Sequence, residues 1–155
     1  MLLNGQPVTD RELAARACFV GELPEKHLLR CCYPTVRRRI ERALERSGLP
    51  YTAEQIKDMF ALTDARFDRR IDRISGESWL ISQAVGFAQG KEIFCWPWMD
   101  RRFANWFTAS KEHGIFDVLR AHGKIVLVPS SRETMLREGC DQVLRFDEQG
   151  GFSVE

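Results

Sequence analysis

ISGESWLISQAVGFAQGKEIFCWPWMD, residues 74–100, is the segment around which the other parts of the chain arrange themselves. Ile74-Ser75-Gly76 is a small-residue turn, and Glu77 suits the first turn of a helix. Leu80, Ile81, Ala84, Val85 and Ala88 then recur at helical spacing over about three turns. Gly90 fits a helix C-terminus, and Ile93 to Trp96 form the short continuous apolar run of a buried strand. Ser75 falls at the N-cap, where free backbone amides point out of the helix and can receive an anion. Turn, helix, loop and buried strand make half of an α/β unit with a tip suited to phosphate.

Upstream, Met1 to Leu3 read as a strand end and Asn4-Gly5 as a turn. Thr9-Asp10-Arg11-Glu12 has capping-box spacing, which predicts a short helix, and Ala17 to Val20 is a brief apolar strand. Residues 21–34 read as a long loop. From Thr35 a helix is predicted with Val36, Ile40 and Leu44 on one stripe, stopped by Gly48-Leu49-Pro50. A second capping box at Thr52 to Gln55 opens a helix whose face is Ile56, Met59 and Phe60. The charged segment TDARFDRRIDR has only Phe67 and Ile71 to bury and links this helical insert, about residues 35–73, to the turn at Ser75.

Downstream, Phe103, Trp106 and Phe107 start another helix, and Ile115, Phe116 and Leu119 continue or restart it past Gly114. Ile125 to Val128 read as a second buried strand, and Ser130 to Glu133 cap a short helix through Arg137. Residues 142–146 and 151–154 form a terminal hairpin around Glu148-Gln149-Gly150. Strands separated by helices imply a mostly parallel sheet with helices on its faces.

The 155 residues are 44% hydrophobic and 29% charged, which suits a single globular α/β domain with a sizeable core. A net charge of +1 gives no global call for nucleic acid, and the arginines of VRRRIERALER alternate with acids as on a solvated helix face. No run approaches the ~20 apolar residues of a spanning helix, and MLLNGQPV lacks the features of a signal peptide, so the chain is read as cytosolic. The five cysteines, Cys18, Cys31, Cys32, Cys95 and Cys140, show no metal spacing and read as structural or incidental.

This order of parts, taken with its residues, resembles an ABC-transporter nucleotide-binding domain from which the first third, with its phosphate-loop strand, is missing. MLLNGQPV resembles the strand and turn after the phosphate-binding loop, and RACFVGELPEKHLL the strand leading into the Q-loop, with Glu22 in place of glutamine. YPTVRRRIERAL looks like the start of the helical subdomain, and RISGESWLISQAVGFAQGKEIF like the signature sequence and its helix. GKIVLVPSS is similar to the strand ending in the switch histidine, with Ser131 at that position. CDQVLRFDEQGGFSVE closely resembles the family's terminal hairpin.

The departures shape the expected function. Hydrolysis in this family needs a glycine-rich loop with lysine, an aspartate for magnesium and a glutamate for the attacking water. The chain has no G-x-x-x-x-G-K-[ST] motif, and after the Ile93–Trp96 strand the two carboxylate positions fall on Pro97 and Trp98. Asp100 is nearby, but two residues along the chain shift a carboxylate by several ångströms. These losses imply a pseudo-ATPase that uses no cofactor and no metal. Its implied partners are a second copy, a complete ABC ATPase or a transporter's membrane component, with no nucleic acid and no membrane insertion.

The resemblance implies two readings of Ser75 and Gly76: contact with nucleotide held by an opposite subunit, or an ordinary helix cap. Trp98 is expected to fill space in an inactive pocket, with a partner-binding surface as the alternative. Two other functional classes stay open. One is the truncated C-terminal part of an exporter ATPase; the other is a small hydrolase using Ser130, Ser131 and His122.

Overall fold

The computed structural model describes residues 2–3, 5–21, 23, 33–74, 78–98, 114–130, 140–146 and 152–154. Strand β1 (Leu2–Leu3) pairs antiparallel with β2 (Gln6–Pro7) across the turn at Gly5. Thr9 then caps helix α1 (Asp10–Arg16) with the predicted capping box. Its Oγ1 accepts from the Glu12 N–H at 3.2 Å, and the Thr9 N–H donates to Glu12 Oε2 at 2.8 Å.

Strands β3 (Ala17–Phe19), β4 (Ile93–Cys95) and β5 (Ile125–Leu127) form a three-stranded parallel sheet in the order β3-β4-β5. Ala17, Ile93 and Ile125 share one row, Cys18, Phe94 and Val126 the next, and Phe19, Cys95 and Leu127 the third. Side chains alternate between faces, so the middle row points one way and its two neighbours the other. The middle row, extended by Val20 and Trp96, faces the core, where Phe94 is fully buried.

Helix α5 (Ser78–Ala88) covers that face. The sequence shows an apolar stripe, but every residue from Trp79 to Ala88 is buried, Ser82, Gln83 and Gly86 included. The cause is a helix packed on both sides. Toward the sheet, a Cβ on Gly86 would lie 2.6 Å from Cys18 Sγ and 3.2 Å from Phe94 Cε1, so only glycine permits this approach. On the other side α2 (Val36–Ser47) packs along α5, and Ser47 Oγ donates to the Ala88 carbonyl at 2.8 Å. Gly90, at φ +75°, ends α5 with the Gly90 N–H on the Phe87 carbonyl at 2.9 Å and the Lys91 N–H on the Gly86 carbonyl at 3.0 Å.

The insert follows its local signals. Thr35 caps α2, Gly48 ends it in the left-handed region, and Val36, Ile40 and Leu44 are buried together with Ala43. Helix α3 (Ala53–Met59) starts with the Thr52–Gln55 capping box and buries Ile56, with Phe60 buried just beyond it. The charged segment makes α4 (Asp64–Phe67) and a 3-10 turn (Ile71–Arg73), and buries Phe67 and Ile71 as predicted. The Val36 N–H reaches the Arg69 carbonyl at 3.0 Å and the Ile71 N–H the Pro34 carbonyl at 3.1 Å, which ties the ends of the insert together. Arg37 stacks 4.3 Å above the Phe67 ring while donating to Asp68 at 2.7 Å and to Glu54.

Helix α6 (Ile115–Ala121) restarts after Gly114; Leu119 joins the core, and Phe116 packs on Trp96 with ring centroids 5.5 Å apart. Helices α5 and α6 therefore lie on the same face of the sheet. Strand β5 departs from expectation. It was read as buried, yet Ile125 is 40% and Leu127 45% exposed, because only Val126 turns to the covered face. The terminal hairpin is present as β6 (Leu144–Phe146) and β7 (Phe152–Val154), with Leu144 opposite Val154 and Phe146 opposite Phe152. The helices predicted around Phe103–Phe107 and Ser131–Arg137, and most of the 21–34 loop, lie outside the described residues.

Candidate functional site

Open parallel sheets bind ligands beyond the carboxyl ends of their strands. Here those ends form one rim. The Val20 N–H donates to the Cys95 carbonyl and the Trp96 N–H to the Leu127 carbonyl, each at 2.8 Å, so all three strands stop at nearly the same level. Helix α5 begins at this rim as well. Ser82 Oγ accepts from the Gly21 N–H at 2.7 Å and donates to the Trp79 carbonyl at 2.9 Å, and the Trp79 ring lies 5.9 Å from that of Trp96.

Only some of the sites picked from sequence fall among the described residues. Glu22, Ser75, Gly76 and Ser131 lie outside the described residues, while their chain neighbours Gly21 and Ser130 and the first turn of α5 are at the rim. Pro97 and Trp98 are described and follow Trp96, just beyond the end of β4. Trp98 corrects an expectation: it does not fill a pocket but is 60% exposed. Trp96 takes the interior place, 2% exposed between Trp79 and Phe116. Sequence cannot separate two tryptophans so close together, because both lie beyond Cys95, the last residue of β4.

The described residues that follow the strands are Val20, Gly21 and Leu23; Trp96, Pro97 and Trp98; and Val128, Pro129 and Ser130. None is a carboxylate or an imidazole. What this part of the rim offers is an exposed indole, a hydroxyl and backbone groups, which suits apolar and stacking contact. Among the described residues no group of His, Cys, Asp and Glu side chains could hold a metal ion.

Of the hydrolase residues, the described His122 and Ser130 are not brought together. His122 ends α6 before β5 begins, with Nδ1 2.8 Å from the Val118 carbonyl and its ring edge-on to Phe87 at 5.0 Å. Ser130 follows the other end of β5, and the strand alone separates them by about 10 Å at ~3.3 Å per residue. A shallow cleft of about 180 Å³ lies along β3, lined by Cys18, Arg39, Ser82, Gln89 and Lys91 among others. Burial pushes the Cys18 thiol up to about 11, so it is a protonated packing group at neutral pH rather than a nucleophile. Sequence reasoning passed over this cleft, since Arg39 and Lys91 carry no motif.

No protein-family model and no curated protein matches the chain. Solved structures do. The chain is similar to cbiO1 from Clostridium perfringens, part of the ABC transporter complex cbiONQ, with a TM-score of 0.64 and 11% identity over 92% of this chain. It is also similar to a metal-chelate type ABC transporter in an inward-facing conformation, with a TM-score of 0.58 and 14% identity over 90% of this chain. The fold is thus ABC-ATPase-like, a parallel sheet with flanking helices. The chain spans 60% and 57% of the length of these two structures. Among the described residues, no helix is long and apolar enough to cross a membrane.

Proposed function

We propose that this ABC-ATPase-like chain is a pseudo-ATPase, a non-catalytic protein that binds a partner within a transporter-type assembly through the rim around Trp98. One observation carries the reading. Just beyond β4 and Trp96, where the resemblance calls for two carboxylates, stand Pro97 and an indole that is 60% exposed. A proline cannot ligate magnesium, and an indole cannot accept a proton from water. A large exposed aromatic is instead the kind of side chain that anchors protein contacts. The partner is a complete ABC ATPase or a transporter's membrane component, which holds this chain at the cytoplasmic face of a membrane.

Calorimetry with ATP and magnesium, followed by a phosphate-release assay, tests the proposal. The expected result is no micromolar binding and no turnover; turnover that survives further purification overturns it. A second reading makes residues 1–155 part of a longer exporter ATPase. The uncovered sheet face at Ile125 and Leu127 favours it.

A further inference from the structure

The cleft along β3 differs in chemistry from the rim. Its floor is apolar where α5 presses on the sheet, with Cys18 from β3 and Val85 and Gly86 from α5. Its charged wall comes from two further places. Arg39 reaches the cleft from α2, and Lys91 from the turn that leads from α5 into β4. Among the described residues that line it, none is acidic.

Both cations are fixed in position. Lys91 Nζ donates to the Ala15 carbonyl in the last turn of α1, which uses one of the three ammonium hydrogens. Burial raises the Cys18 thiol and the Lys91 charge partly offsets it, which puts the ammonium beside the apolar floor. Arg39 is half-buried and shares a stripe of α2 with the exposed Arg42 and Arg46. Burial, then the charges of Arg46 and Arg42, hold its guanidinium below its ordinary range. A negative group placed against Arg39 relieves that repulsion.

Size selects among anions. The cleft holds about 180 Å³, slightly more than the ~150 Å³ cavity that takes up benzene in an engineered protein. There is room for an apolar body of about six carbons with its charged head against the cations. Inorganic phosphate would leave the floor uncovered, and a neutral body of the same size would leave the cations unmatched.

We propose that this cleft binds a small organic carboxylate, its apolar body on Cys18, Val85 and Gly86 and its carboxylate on the Arg39 fork, with Lys91 as the second cation. Such a ligand bridges the helical insert and the sheet layer, since Arg39 belongs to the first and Lys91 leads into the second. Lys91 lies at the opposite end of α5 from the rim, so the inference goes beyond the partner-binding reading and does not depend on it.

Benzoate is the probe, titrated into the isotope-labelled chain and followed amide by amide by NMR. Saturable shifts at the amides of Cys18, Gly86 and Lys91, with a Kd at or below about 1 mM, are expected. Benzyl alcohol keeps the body without the charge, and phosphate the charge without the body; each should bind at least about tenfold more weakly. Arg39→Gln and Lys91→Met should each weaken benzoate about tenfold. Gln89→Trp, at an exposed position lining the cleft, should block it with both cations in place. No saturable shift up to about 10 mM overturns the proposal. Equal binding of benzyl alcohol reduces the site to an apolar void, and equal binding of phosphate to a basic patch; either overturns the assignment. Undiminished affinity in both cation variants overturns the roles given to Arg39 and Lys91. The comparison of the three ligands uses the native chain, so it decides the matter even where a variant fails to fold.

Discussion

Gly86 fixes how closely α5 approaches the sheet. Alanine there should gain up to ~1 kcal/mol in helix propensity but must displace Cys18, whose Sγ and Cβ would lie 2.6 and 3.0 Å from the new methyl. Overpacking of this kind typically costs about 1–3 kcal/mol, so Gly86→Ala should lower stability in urea unfolding. Adding Cys18→Ala should recover part of the loss, a coupling that a propensity effect alone would not show. The tryptophans at the end of β4 give the complementary experiment. Trp96→Ala should cost about 3–5 kcal/mol, whereas Trp98→Ala should leave the melting temperature nearly unchanged and weaken partner capture. An equal loss of stability from both would remove the case for Trp98 as a contact residue. Neither residue's fate was legible in WPW, because burial there depends on Trp79 and Phe116, which are distant in sequence.

At the scale of elements, what was legible was local. The capping boxes at Thr9 and Thr52, the stop at Gly48 and the stripe of Val36, Ile40 and Leu44 each depend on residues within a few positions, and all formed as read. The helical spacing of Leu80, Ile81, Ala84, Val85 and Ala88 marks α5 as a helix without saying how far it is buried. The better signal was the absence of any charge from Ser78 to Gly90, which suits burial all round. The exposure of β5 was not legible, since an apolar triplet looks the same in the centre of a sheet and at its edge. Electrostatics also has an element-level consequence. Arg37 joins α2 to α3 and α4, and its hydrogen bonds hold the Glu54 and Asp68 carboxyls below their ordinary range. Lowered carboxylates contribute stability that is present above their ordinary range and lost as pH falls through the lowered values. Unfolding midpoints measured between about pH 6 and pH 3 should therefore drop more steeply for the native chain than for Arg37→Gln. Parallel curves would mean that the arginine acts only through its stacking on Phe67.

For the whole molecule, the fold class and nearly every described element were readable, while the distribution of apolar surface was not. Leu144, Phe146 and Val154 share one face of the terminal hairpin at 48%, 74% and 56% exposure. Apolar hairpin faces left open promote association. The purified chain should self-associate at micromolar concentration, and Phe146→Lys should shift sedimentation toward monomer. A native chain that is strictly monomeric would show that this face is too small to drive assembly.

The complete burial of α5 has a consequence for how the molecule comes apart. Its residues from Trp79 to Ala88 are shielded jointly by the sheet and by the helical insert. Peeling away either layer would expose the same helix and forfeit the same apolar contacts. Neither layer is therefore a separate thermodynamic unit. The two should melt together, in one cooperative transition, with α5 as the shared interior that binds their fates.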